Sequence, residues 1–221
     1  MQVYFAIALS IVAAVLAVAP YVPALRSRLS QPEQLAPLVP LCLLLVAMLA
    51  PQPVSMFYKA AILLGLLAST LAVLFRRLPG MPLYASLAFL CITVPLYAVA
   101  FASTHRLSLP TPLILLVIVW AAGLYWVVRA HLHEERYALI GLITLAGLMG
   151  WQALEMQVHN GQVWSSTGLA GALLMGVAGT LLLVDRARKP IRGAAVLVAL
   201  VFFVSQTLIA WSVWGPGISL T

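Results

Sequence analysis

Negative charge is nearly absent from this chain. Of its 221 residues only five are acidic (Glu33, Glu134, Glu135, Glu155 and Asp185), and all charged residues together make up 8%. A soluble domain carries about 25%. So few charges cannot cover a water-facing surface, which excludes an ordinary soluble protein. Cysteine is scarce too. Cys42 and Cys91 both lie inside apolar runs, so they read as small buried hydrophobes and not as a disulfide or a metal site. Charge is also missing from the middle of every long apolar run. Ionisable residues at that depth are costly and usually functional. Their lack, with the lack of an internal repeat, argues against a transporter and against a proton relay.

Long apolar runs are what the chain does have. Hydrophobic residues make up 64%, with a mean hydropathy of +1.09. A membrane-crossing helix needs roughly 20 apolar residues. Eight runs qualify, at about 3–19, 35–50, 56–75, 82–102, 109–128, 137–155, 166–184 and 193–213. The expected fold is all-α: a polytopic membrane bundle of about eight helices, forming one transmembrane domain over 1–221. The first run is followed by Pro20 and preceded by no Lys or Arg, so it reads as a retained span and not as a signal peptide. Pro95 is expected to kink the fourth span, with Thr93 helping to satisfy freed backbone.

Basic residues orient the bundle. The loops after spans one, three, five and seven carry Arg26, Arg28, Arg76, Arg77, Arg129, Arg136, Arg186, Arg188, Lys189 and Arg192, ten of the twelve basic residues. Only Lys59 and Arg106 border the other loops. Lys and Arg stay on the cytoplasmic side, so both termini are expected outside the cytoplasm. The net charge of +7 is then a topology signal spread over four short loops. It forms no basic face, and no nucleic-acid partner is expected. Membrane lipids are the expected partners. A membrane-protein partner is a further option, through the outer-end tryptophans Trp151, Trp164, Trp211 and Trp214, although Trp at span ends is also an ordinary interfacial belt.

Few polar groups remain as candidates for chemistry. Glu155 ends span six on the outer side, and Asp185 ends span seven on the cytoplasmic side. They stand about a bilayer thickness apart, roughly 30 Å, too far to act on one bond. His159 follows Glu155 by four residues and can touch it if span six continues as helix. His131 and His133, beside Glu134 and Glu135, stand two apart and point to different faces of a helix. No metal site and no cofactor are expected. Deeper in the spans lie Ser69, Thr70, Thr93, Ser205, Gln206 and Thr207. Serine and threonine can bond their own helix. Gln206 needs a partner on another helix, as packing glue or as the lining of a polar cavity.

"GALLMGVAGTLLLVDRARKP", followed by "VALVFFVSQTLIAWSV", resembles the seventh and eighth spans of the YhhN family, which includes the lysoplasmalogenases. "GLLASTLAVL", "AFLCITVPLYAVAF" and "LAPLVPL" are similar to further family segments in the same order. The resemblance implies an eight-span protein in the plasma membrane of a bacterium, with a lipid-sized cavity and a lysophospholipid as ligand. Family-type activity is hydrolysis of the vinyl-ether bond of lysoplasmalogen. The family's Gly-Asp and Ser-Asp pairs fall here on Ala72-Val73 and Ala178-Gly179. The acid positions are therefore Val73 and Gly179, and the activity is expected to be weak or lost unless Glu155, His159 or Asp185 substitutes. A pseudoenzyme that binds a lysolipid and a structural subunit of a membrane complex are the alternatives. The expected cavity lining is Ser69, Val73, Thr93, Tyr97, Gly176, Gly179 and Gln206. Gly176, Ala178 and Gly179 also read as a small-residue packing seam.

Overall fold

A computed structural model describes residues 1–21, 36–77, 83–105, 112–129, 136–187 and 193–215. Arg26, Arg28, Glu33, Arg106, His131, His133, Glu134, Glu135, Arg188, Lys189 and Arg192 lie outside the described residues. Eight α-helices follow in chain order: α1 Gln2–Val18, α2 Leu38–Met48, α3 Met56–Arg77, α4 Leu83–Ala102, α5 Leu113–Val128, α6 Arg136–Asn160, α7 Val163–Ala187 and α8 Ala194–Trp211. A short 3₁₀ turn, Ala19–Tyr21, extends α1. No strand occurs among the described residues, only a single bridge between Pro53 and Trp214. The eight helices coincide with the eight apolar runs. Three of them are long and apolar enough to cross a membrane, at Gln2–Tyr21, Met56–Phe75 and Val163–Asp185, and four shorter apolar helices accompany them.

Boundaries differ from the sequence reading where capping chemistry intervenes. The run at 35–50 yields a helix of only 11 residues, roughly 16 Å long at 1.5 Å per residue. Lys59, in the first turn of α3, closes that helix by donating from Nζ to the carbonyls of Met48 (2.7 Å) and Ala50 (2.9 Å), a cation on the last carbonyls of a helix. Between spans six and seven, "MQVHNGQVWSS" reads as a loop, yet only Gly161 and Gln162 lie outside helix. Gly161 adopts φ +60°, the left-handed conformation that ends helices at glycine. Gln162 N–H then donates to Ser165 Oγ at 3.1 Å, a cap that starts α7 immediately. Helix α6 therefore runs on through Glu155 and His159. In α4, Thr93 Oγ1 donates to Phe89 O at 2.9 Å and not to the carbonyl of Cys91, which Pro95 leaves without its usual donor.

Helix packing closes a ring. α3 packs on α4, α4 on α6, α6 on α7, α7 on α8 and α8 on α3. α1 and α2 pair with each other and lean on α8, while α5 lies against α6 and α7. The outward faces stay apolar, with Tyr4, Phe5, Ile11 and Val15 exposed on α1 and Leu115, Leu116, Val119 and Trp126 exposed on α5. Lipid tails match such faces. The ring interior is where the buried polar side chains collect.

A close helix contact lies in the first half of α7. A Cβ on Gly171 would stand 2.7 Å from Ile209 Cγ1 and 3.0 Å from Ser205 O. Ser205 Oγ donates to Gly171 O at 2.8 Å across the same contact. A Cβ on Gly168 would stand 2.7 Å from Met156 Cε. The close approach of helices thus falls on Gly168 and Gly171, not on the Gly176–Gly179 stretch expected from sequence. A Cβ at Gly176 would meet Trp120 of α5 at an ordinary 3.8 Å, and at Gly179 it would meet nothing within 4 Å.

Candidate functional site

Polar side chains gather at two levels of the ring. The inner group is built on α3, α4 and α8. Tyr97 Oη donates to Gln206 Oε1 at 2.6 Å, linking α4 to α8. The Tyr97 ring lies across α3 because residue 65 is glycine; any Cβ there would clash with the ring. Ser69 follows Gly65 by one turn, and Thr93 precedes Tyr97 by one turn. Ser69, Thr93 and Tyr97 are fully buried, and Gln206 is 1% exposed. Val73 follows Ser69 by one more turn on the same stripe of α3 and is half-buried.

Gly179 lies on α7. Its neighbours at one and two turns, Ala172, Met175 and Leu183, are buried. Gly179 itself is half-exposed, with open space where a side chain would project. Two contacts set the depth of these positions. Tyr58 Oη and Ser212 Oγ, 2.7 Å apart, fix α3 against α8, and Gly171 against Ser205 and Ile209 fixes α7 against α8. Following α3 to Val73 and α7 to Gly179 at about 1.5 Å per residue brings both opposite residues 197–199 of α8. By this measure Val73 and Gly179 stand at one depth along the bundle. Gly176 turns instead toward Trp120 of α5.

The second group lies at the far end of α6. Glu155 is 2% exposed, a burial that its place at the end of an apolar run does not reveal. Trp151 Nε1 donates to its Oε1 at 3.0 Å. His159 Nδ1 stands 2.9 Å from the Glu155 carbonyl oxygen and 3.7 Å from Oε2. The shorter contact is the hydrogen bond; the longer one is an ion pair only when the imidazole is protonated. The His105 ring stacks on His159, with centroids 5.3 Å apart, and the Gln152 side chain is buried beside them. Burial, and then the neighbouring His159, push the pKa of His105 below its usual value, against the opposing pull of Glu155, the Phe101 backbone and Gln152. Among the described residues no group of three metal-binding side chains comes together. Asp185 stands in the last turn of α7, roughly 33 Å along that helix from Val163, and so does not join Glu155 and His159.

The span-end indoles are used internally. Trp164 donates to Gln162 Oε1, Trp211 to Ser10 Oγ and Trp214 to the Val46 carbonyl. Trp164 and Trp214 are buried. None of these three offers its N–H to a partner.

Comparison with known sequences matches the same elements. A model of the YhhN family covers residues 33–213, which spans α2 to α8. Proteins named uncharacterized membrane protein YhhN from Escherichia coli O157:H7, a second strain of Escherichia coli and Shigella flexneri are each 29% identical to the chain over 178 residues, 80% of this chain and 85% of theirs. No solved structure matches. With a family match over most of its length and an eight-helix apolar bundle beneath it, this chain belongs to the YhhN family of integral membrane proteins.

Proposed function

We propose that this chain binds a lysolipid in the ring interior and hydrolyses the vinyl-ether bond of lysoplasmalogen weakly or not at all. One observation supports the reading: the positions where the resemblance places acids carry Val73 and Gly179, while the buried side chains of the neighbouring inner group (Ser69, Thr93, Tyr97 and Gln206) are neutral. Vinyl-ether hydrolysis begins when a carbon of the double bond takes a proton. Water then adds to the oxocarbenium ion, and the hemiacetal releases an aldehyde. The first step needs a general acid and the second a base or a fixed negative charge. Amides and hydroxyls can orient a lipid, but they are too weakly acidic to protonate carbon. Loss of a general acid typically removes 10²–10⁴ in rate.

The test measures aldehyde release from lysoplasmalogen by the purified chain and by a double variant, Val73→Asp with Gly179→Asp. The expected result is little or no release by the natural chain and a gain in the double variant. Robust release by the natural chain overturns the reading. It would favour a second one, in which buried Glu155, held by Trp151 and paired with His159, supplies the acid–base couple. Glu155→Gln would then abolish release.

A further inference from the structure

Among the described residues, Gln206 is a buried side chain with unmet donor capacity. Its amide has one acceptor and two donors. Tyr97 Oη occupies the acceptor at 2.6 Å, and Gly65 lets the Tyr97 ring hold that position. The amide oxygen is thereby fixed toward α4, and the nitrogen is directed away from it. Gln206 Nε2 makes no hydrogen bond, and neither does Ser69 Oγ. Both side chains are essentially fully buried. Serine and threonine in apolar helices usually bond a carbonyl one turn back. Thr70 does so to Leu66 O at 2.8 Å and Thr93 to Phe89 O at 2.9 Å. Ser69 does not. Two neutral donors thus stand unpaired in the interior of the bundle.

We infer that Gln206 Nε2 and Ser69 Oγ form a hydrogen-bonding subsite for the glycerol-backbone oxygens of a single-chain lipid, with Tyr97 as its positioning residue. The inference rests on the lysolipid reading above and adds which part of the lipid is recognised. The chemistry selects the ligand atoms. An uncharged amide and an uncharged hydroxyl suit uncharged ether, ester or hydroxyl oxygens, whereas phosphate draws arginine or lysine. The inner group contains no arginine, lysine or carboxylate.

The experiment compares two probes on the full-length protein in detergent: a palmitoyl lysophosphatidylcholine and hexadecylphosphocholine. They share the headgroup and chain length, and only the first has glycerol oxygens. The natural chain is expected to prefer the first by roughly five- to thirtyfold, the yield of two neutral hydrogen bonds. Gln206→Leu and Ser69→Ala should each cut that preference several-fold, and together should abolish it. Tyr97→Phe, which frees the amide to rotate, should lower the preference by weakening lysophosphatidylcholine binding more than hexadecylphosphocholine binding. Equal affinity of the natural chain for both probes overturns the subsite and leaves lysolipid binding standing. Failure to bind either probe overturns the lysolipid reading and the subsite with it. Preference retained in both single variants also overturns the subsite. If Gln206→Leu does not fold, Ser69→Ala, which removes one oxygen, decides the matter alone.

Discussion

His105, stacked on His159 beside the buried Glu155, stands at one end of α4 and α6. Burial, and then His159 against it, lower the pKa of the His105 ring. The sign of the consequence follows. An unfolded histidine takes up its proton near pH 6.5, while the folded one resists until the pH is lower. Between those values the unfolded state binds more protons, so stability falls as pH drops through that window. The melting temperature in detergent should therefore be lower at about pH 5.5 than at about pH 7.5, and His105→Gln should shrink that difference. An unchanged difference in the variant would refute the role given to His105. None of this is legible in sequence. The spacing of Glu155 and His159 suggests a contact, but the stacking of His105 on His159 depends on α4 and α6 ending side by side, 54 positions apart in the chain.

At the scale of elements, apolar runs located all eight helices, because run length and hydropathy report the membrane's demand directly. Helix ends and helix contacts were less legible. Asn160, Gly161 and Ser165 turn an apparent loop into a two-residue connection through capping, which a hydropathy reading does not register. Likewise, Gly168, Gly171, Gly176 and Gly179 share one helix, yet only the first two meet α6 and α8 closely. Which glycine packs depends on the rotation of α7, and the hydrophobic pattern of a helix apolar on nearly all sides does not fix that rotation. A paired substitution separates the roles. Gly171→Ala pushes a methyl into Ile209 and the Ser205 carbonyl and should lower the melting temperature. Gly179→Ala meets open space and gains roughly 0.5–1 kcal/mol in helix preference, a rise of up to about 4 °C for a chain of this size. A fall of equal size in both variants would show that the seam extends along the whole stretch.

For the whole molecule, the contacts fix which helix ends share a face. Met1, Tyr4 and Phe5 line one apolar groove with Leu49, just past α2. Gly215, past α8, donates its N–H to Gln52 O at 3.2 Å, in the same connection between α2 and α3. The start of α1 and the end of α8 therefore lie at one end of the bundle. Arg76, Arg77, Arg129, Arg136 and Arg186 fall at or beside the opposite helix ends, the close of α3, α5 and α7 and the start of α6. Eight alternating helices and this separation of charge agree with each other, and the tendency of arginine and lysine to remain in the cytoplasm then gives the direction. The termini are expected outside. A reporter that is active only outside the cytoplasm, fused after Thr221, should be active, and a cytoplasm-only reporter at the same position should be silent. Moving charge supplies the stronger check. Replacing Arg76 and Arg77 by Gln should weaken the topology signal, and adding lysines to the connection at 51–55 should push the population toward inversion. A cytoplasmic signal from the unaltered chain would reverse the orientation, while the grouping of helix ends would stand, because that rests on contacts within the bundle and not on charge.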